Sequence, residues 1–352
     1  GTSFLLASCQ YPAGFFDEPV AHASYRRIAE RLETETGPKP RFALFVGDQV
    51  YVDPTAGLYD PSQADDSYRL PYEAWLRAPA VRDVLRRIPS FMLLDDNEIA
   101  DNWEPVAESD TDDNQELLAR GRAAFDKYQR GMKADFDTFE FDGFHFFMLD
   151  TRTRRDHRKA GKLDTAKLFP ASTMVSLKQW MLDAPGPKFI VTPVIFLPRH
   201  RRTLQRSPRL EPNNPSALYS DGWDGYPNSM LEVLGHIAKN GVREVVFLSG
   251  DEHRGCVAAI DFFDAGGRLL TKAHSIHASA LYAPFPFANS VDEDIADKEK
   301  IEFSYEGKTY CCVVDTWRPP AGDGAVFLNV SMTAALWNIE CEYAGGARRI
   351  TL

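Results

Sequence analysis

Four short segments share one layout, an apolar run that breaks abruptly into polar residues. They are Leu5-Leu6-Ala7-Ser8-Cys9-Gln10, Leu44-Phe45-Val46-Gly47-Asp48-Gln49-Val50-Tyr51, Met92-Leu93-Leu94-Asp95-Asp96-Asn97-Glu98 and Phe247-Leu248-Ser249-Gly250-Asp251-Glu252-His253. In an open α/β sheet, ligands bind beyond the carboxyl ends of the strands. Four such ends would gather thiol, carboxylate, phenol, amide and imidazole groups in one place. Carboxylates packed together repel one another and raise each other's pKa, and a multivalent cation removes that conflict. The expected chemistry is a metal centre of two or more ions, built from Cys9, Asp48, Tyr51, Asp96, Asp251 and His253. Singly, each residue has a plainer explanation: an Asp after a strand caps a helix or turn, and a cysteine fills a core. Only the fourfold recurrence of strand and then acid favours the metal.

The elements needed to position these residues are legible as hydrophobic pattern. Short buried strands are expected at 4–8, 42–46, 89–94 and 242–248, with further strands at 256–263, at 310–315 and in the tail from Ala325. Helices are expected at 20–35, 72–87, 115–133, 173–183 and 229–239. Asp142-Gly143 between apolar runs signals a hairpin within 139–149. Strands alternating with helices, followed by antiparallel signals, predict an α/β protein of layered sheets with helices on the outer faces. The polar stretches 104–114 and 205–228 read as long loops. No linker or repeat divides the chain, so one domain over 1–352 is expected.

Composition narrows the function classes. The 40 Lys and Arg against 51 Asp and Glu give a net charge of −11, which argues against a nucleic-acid partner held through phosphates. No apolar run approaches the roughly 18 residues of a membrane helix. The five cysteines follow no paired spacing, which excludes a disulfide framework and a zinc ribbon. The residues open on Gly1-Thr2-Ser3 and run into a strand, without the pattern of an export signal.

Gly47-Asp48-Gln49-Val50-Tyr51, Leu94-Asp95-Asp96-Asn97-Glu98-Ile99 with Asp101-Asn102-Trp103, and Leu248-Ser249-Gly250-Asp251-Glu252-His253 resemble segments of PhoD-type alkaline phosphatases, which are calcineurin-like metallophosphoesterases. Ser8-Cys9-Gln10 matches that family's first metal segment. Leu149-Asp150-Thr151-Arg152 and Trp223-Asp224-Gly225-Tyr226 resemble two further segments, all in family order. The resemblance implies a four-layer α/β/β/α sandwich with its site at the strand ends between two sheets. It also implies a ferric ion beside one or two calcium ions, with two divalent metals as the alternative. Cys9, Asp48, Tyr51, Asp251 and His253 fall on the iron positions, Asp48 bridges, and Asp96 falls on the second-metal position; Asp95 is left open as a ligand or a support for one. Thiolate, phenolate and imidazole suit iron, and oxygen ligands suit calcium.

One position departs from the family pattern. Asn97 stands where relatives carry a histidine that is the candidate general acid or phosphoryl contact. Asn cannot release a proton but can donate a hydrogen bond, and losing a general acid costs about 10²–10⁴-fold in rate. The function implied is phosphoric-ester hydrolysis by a metal-bound hydroxide, on small phosphomonoesters or phosphodiesters including phospholipid head groups, with Asn97 and Arg152 steadying the phosphoryl group. A catalytically weakened protein that binds phosphate or a phosphorylated ligand is the alternative, and a metallohydrolase of carboxylic esters or amides is a third reading. Family members are often exported, while the sequence itself leaves compartment and oligomeric state undetermined. Outside the motifs, Arg199-His200-Arg201-Arg202 reads as a solvated basic loop, and His274 with His277 as structural histidines, three apart as on a helix face.

The ligand assignment has a direct test. Asp48→Asn and Asp251→Asn should each lose bound metal and activity together, while His274→Ala keeps its metal by elemental analysis. Full occupancy in Asp48→Asn would show the site to be misplaced.

Overall fold

The computed structural model describes all residues except 15, 35, 54–63, 108–110, 130–134 and 285–293. Two sheets carry the architecture. The first has the order β15-β14-β13-β1-β2-β3, with β10 also pairing to β1. Its strands are β1 (Thr2–Gln10), β2 (Ala43–Val46), β3 (Ser90–Leu93), β10 (Ala280–Tyr282), β13 (Val326–Thr333), β14 (Leu336–Tyr343) and β15 (Gly346–Thr351). The second has the order β11-β12-β8-β9-β7-β6-β5-β4. It contains β4 (Phe136–Phe141), β5 (Phe144–Leu149), β6 (Lys188–Val191), β7 (Val245–Ser249), β8 (Cys256–Asp264), β9 (Leu269–His277), β11 (Lys298–Tyr305) and β12 (Lys308–Trp317). β1, β2 and β3 run parallel in one sheet, and β5, β6, β7 and β9 run parallel in the other.

Strand periodicity explains the layering. Successive side chains on a strand point to opposite faces. Phe4 and Leu6 of β1 therefore join the core between the sheets, with Phe146, Phe189, Val246, Leu328 and Ile339. Leu5 and Ala7 face outward, where they pack with Tyr25 and Ile28 of α2 (Ala23–Glu33), Tyr72 and Trp75 of α3 (Ala64–Arg77), and Val81 and Val84 of α4 (Pro79–Leu85). On the second sheet, Phe147 and Phe247 face Leu177 and Met181 of α6 (Ala171–Asp183) and Met230, Val233 and Ile237 of α7 (Pro227–Asn240). The result is the expected α/β/β/α sandwich. Strands covered on both faces read as continuous apolar runs, and β1 is buried along its whole length. The Tyr343 hydroxyl at the end of β14 joins the sheets, 2.9 Å from both the Cys256 and His277 carbonyl oxygens.

Several elements differ from expectation for local reasons. The helix expected at 72–87 is two helices, because Pro79 forces Ala78 into an extended conformation with ψ 122°. The helix expected at 20–35 breaks at His22 into α1 (Glu18–Ala21) and α2. The helix expected at 115–133 is α5 (Thr111–Tyr128); residues 130–133 lie outside the described set. Asp142 and Gly143 both have positive φ and form the expected hairpin turn. β6, β9 and β11 were not anticipated from the pattern. His274 and His277 lie on β9 and not on a helix, so residues three apart point to opposite faces of the sheet.

α7 packs on β11 with no spare room. A Cβ at Gly235 would sit 2.1 Å from Cγ of Tyr305. Gly235→Ala should therefore destabilise the protein by about 1–3 kcal/mol, the usual cost of overpacking. An unchanged denaturation midpoint would contradict this packing.

Candidate metal centre

The loops after β1, β2, β3 and β7 converge. Cys9 Sγ lies 3.5 Å from Asp48 Oδ2. Cys9, Asp48 and His253 offer ligand atoms within 4.8 Å of one another, and so do Asp48, Asp95, Asp96 and Asp251. Asp48 belongs to both groups. Tyr51 joins the first, its Oη 3.2 Å from Nε2 of His253. The carboxylate of Asp251 is grouped with the other acids, while its backbone oxygen lies 3.7 Å from Cys9 Sγ.

The backbone is contorted to achieve this. Cys9, Asp48, Asp251 and His253 all have positive φ, at 57°, 58°, 85° and 58°. Such conformations in residues other than glycine are uncommon, and they cluster at functional sites held by their surroundings. Two glycines allow the loops to close up. At Gly47, φ is +103° and a Cβ would meet Asp95 Cβ at 2.6 Å; at Gly250 it would meet Ser8 Cβ at 2.4 Å.

A second set of side chains holds the loops in register. The buried Glu98 carboxylate accepts hydrogen bonds from the backbone N–H groups of Asp48, Gln49 and Asp95 at 3.0, 2.8 and 2.8 Å. Gln49 donates to the Gly47 carbonyl and accepts from Gln129 on the segment following α5. Arg152, at the end of β5, is fully buried. Its Nε lies 2.6 Å from Asp95 Oδ1 and its Nη1 2.9 Å from Asp221 Oδ2. Its Nη2 has no hydrogen-bond partner among the described residues and is 3.8 Å from Asp96 Oδ1. Asn97 donates its backbone N–H to Asp48 Oδ1 at 3.3 Å.

The electrostatics match a cation site. Burial, then Asp96, Asp95 and Glu98, push the Asp48 carboxyl well above its usual range. Burial raises Asp96 to about 7, with Arg152 opposing. Burial, followed by Asp221 and Asp95, raises Asp251. Burial and then Asp48 raise the Cys9 thiol, and burial lowers His253 to about 4, leaving a neutral imidazole. Asp95 Oδ2, Asp96 Oδ1 and Asn97 Oδ1 are buried acceptors without partners among the described residues. Unpaired buried acceptors are costly, and metal ions would satisfy them. The donor set fits two kinds of ion: sulfur, nitrogen and phenol oxygen around one group, carboxylate oxygens alone around the other.

With this geometry in view, comparison with known proteins is decisive for the family. The family described as PhoD-like phosphatase matches residues 4–313. The chain belongs to the PhoD-like phosphatase family. A solved structure of PhoD is similar at 14% identity with a TM-score of 0.65, covering 99% of this chain and 68% of that one. The purple acid phosphatase PPD1 from yellow lupin (Lupinus luteus) seeds is similar at 10% identity with a TM-score of 0.51, covering 99% and 53%. At these identities the two structures show the fold, which is of the metallophosphoesterase type. No curated protein sequence matches. Family membership and the clustered ligand residues together support a metal-dependent phosphoesterase.

Sequence reading missed several participants. Glu98 stands inside a motif without a role read for it, and Gln129 and Asp221 lie outside the motifs; folding shows Glu98 and Gln129 buried and Asp221 half-buried against Arg152. The expected solvated loop at 199–202 is partly buried: Arg199 pairs with Glu299 at 2.9 Å with both side chains inside, and His200 Nε2 contacts Glu252 Oε1 at 2.5 Å.

These charges predict how metal removal should depend on pH. Raised carboxyl pKa values mean that the metal-free folded state holds protons that the unfolded chain releases. That contribution to stability is complete below about pH 4 and is lost as pH rises through the folded values, near 7 for Asp96. Bound cations replace those protons. The drop in Tm on adding a chelator should therefore be larger at pH 8 than at pH 5. Equal drops at both pH values would show that the acids are not the ligands.

Proposed function

We propose that the protein hydrolyses small phosphomonoesters or phosphodiesters, phospholipid head groups among them, at a mixed iron and calcium centre. The observation that carries the reading is the sharing of Asp48 between a thiol–imidazole group and an all-carboxylate group. Cys9, Asp48, Tyr51 and His253 would hold the iron, and Asp251, whose carboxylate lies among the acids, would join them by turning from that group; Asp48 and Asp96 would hold calcium, with Asp95 fixed beside them by Arg152. When bound, the ions supply charge neutralisation of the phosphoryl oxygens and acidification of water.

The chain's own groups orient the substrate. Arg152 Nη2 and the Asn97 side chain, both in the acidic half of the site, are the groups offered to the phosphoryl oxygens. Arg152 cannot drift, because Asp95, Asp221 and the Trp103 carbonyl hold its other nitrogens. A planar donor fixed in this way favours a tetrahedral anion approaching at one angle.

Elemental analysis should find about one iron per chain. Tyr51 bound as a phenolate should give a visible charge-transfer band that Tyr51→Phe removes. The loaded protein should cleave nitrophenyl phosphate or bis-nitrophenyl phosphate with multiple turnovers. A colourless protein containing only zinc would overturn the iron assignment. Tight phosphate binding without turnover of any ester would replace this reading with that of a binding protein.

A further inference from the structure

A histidine outside every motif is built into the rim of the centre. His200 follows β6 by a loop whose end is fixed twice. Arg199 Nε pairs with Glu299 Oε2 at 2.9 Å, and the His200 backbone N–H donates to Asp224 Oδ2 at 3.0 Å. Asp224 is itself fixed by the hydroxyls of Ser220 and Thr203, each at 2.5 Å. The imidazole Nε2 engages Glu252, and Glu252 stands between the candidate ligands Asp251 and His253. The second ring nitrogen has no hydrogen-bond partner among the described residues, and the side chain is 15% exposed. One nitrogen oriented by a buried carboxylate and the other left without a partner among the described residues is the arrangement in which imidazole moves protons.

The Glu252 contact puts this ring at the edge of the centre, and the surrounding charges act on it. His200 lies within the field of Asp221, the same carboxylate that pairs with Arg152. On the other side, His277 at the end of β9 lies within the fields of both His200 and His253. Glu252, adjacent in the chain to both Asp251 and His253, is the contact that ties the ring to the ligand groups.

Resting on the phosphoesterase reading above, we propose that His200, oriented by Glu252, is the residue that protonates the leaving-group oxygen, a role for which Asn97 has no proton. In the step, a water oxygen forms a bond to phosphorus while the bond from phosphorus to the leaving oxygen breaks. The imidazolium gives its proton to that oxygen, which departs as the alcohol. The proton lost by the attacking water returns the imidazole to its charged form through solvent. The groups facing the ring are Glu252 from the loop after β7, Asp221 and Asp224 from the segment before α7, and the neutral His277; Arg199 and Arg201 of its own loop are paired with Glu299 and Asp297. Burial alone would lower the imidazole's pKa, but Glu252, then Asp224 and Asp221, override it and lift it to about 10. The donor therefore keeps its proton into alkaline solution.

The test compares kcat/KM for nitrophenyl phosphate and for an alkyl phosphate, across pH, in the native protein, His200→Gln and Glu252→Gln, with metal content and Tm measured for each. Alkoxides need protonation to leave and nitrophenolate needs little. His200→Gln should cut the alkyl rate by about 10²-fold or more, cut the aryl rate far less, and abolish the alkaline fall in the alkyl profile. Glu252→Gln should move that fall to lower pH, since the ring loses its carboxylate. Equal losses on both esters, or an unchanged alkyl profile in a metal-loaded and folded His200→Gln, would overturn the role of His200 alone. A native protein that carries its metals and cleaves neither ester would overturn the phosphoesterase reading itself.

Discussion

The mutual repulsion of buried carboxylates is the constraint around which this molecule is arranged. Asp48, Asp95, Asp96 and Asp251 bring acidic oxygens within 4.8 Å of one another, the first three buried and Asp251 half-buried. No arrangement of apolar neighbours could hold such a cluster ionised. Arg152 answers part of it, with Asp95 on one side and Asp221 on the other. Burial alone would raise the carboxyl of Asp221, but the arginines Arg152, Arg155 and Arg158 hold it well below its usual range. The remainder calls for cations, and the unpartnered oxygens of Asp95 and Asp96 mark where they are wanted.

The fold supplies what the cluster needs to exist. Parallel strands from two sheets end at one level, so that four loops meet without any one of them carrying all the ligands. Close approach of the loops depends on Gly47 and Gly250, where any side chain would strike the neighbouring strand. Glu98 then knits the loops after β2 and β3 through three backbone N–H groups. Positive φ at four ligand positions is strain that this network sustains. Rigid placement of this kind is what metal and phosphoryl chemistry requires, because misplacement by 1 Å costs rate steeply. The hydrophobic layers therefore act on function indirectly: the aromatic core between the sheets, including Phe4, Phe146 and Phe189, packs together the two sheets whose strand ends carry the site.

The residues around the site divide into two tiers. Cys9, Asp48, Tyr51, Asp251 and His253 come from short contiguous motifs at strand ends. The tier that surrounds them comes from distant chain segments: Gln129 after α5, Arg152 after β5, His200 after β6 and Asp221 ahead of α7. Asn97 belongs to the first tier by sequence and has no proton to give, whereas the second tier contains an imidazole, His200.

Read alone, the sequence determined the strands that end in acids, the layered α/β class and the hairpin at Asp142-Gly143, and it named candidate ligands that the fold gathers. Those features are local: an apolar run followed by Gly-Asp is visible within ten residues, and a two-residue turn needs φ values that Asp and Gly tolerate. Tertiary structure alone decided the rest. Arg152 could have been a surface ion pair, and it is buried because Asp95 and Asp221, 57 residues before it and 69 after it, close on it from two sides. β9 escaped notice because its alternation is blurred by burial on both faces toward its end, where His274, Ser275, Ile276 and His277 are all inside. His200 sat in a basic tetrapeptide that looks solvated, and Glu252 became its partner only when the ends of β6 and β7 were brought side by side. Pairing between charges far apart in the chain leaves no periodic mark in the sequence, since it depends on which strands become neighbours.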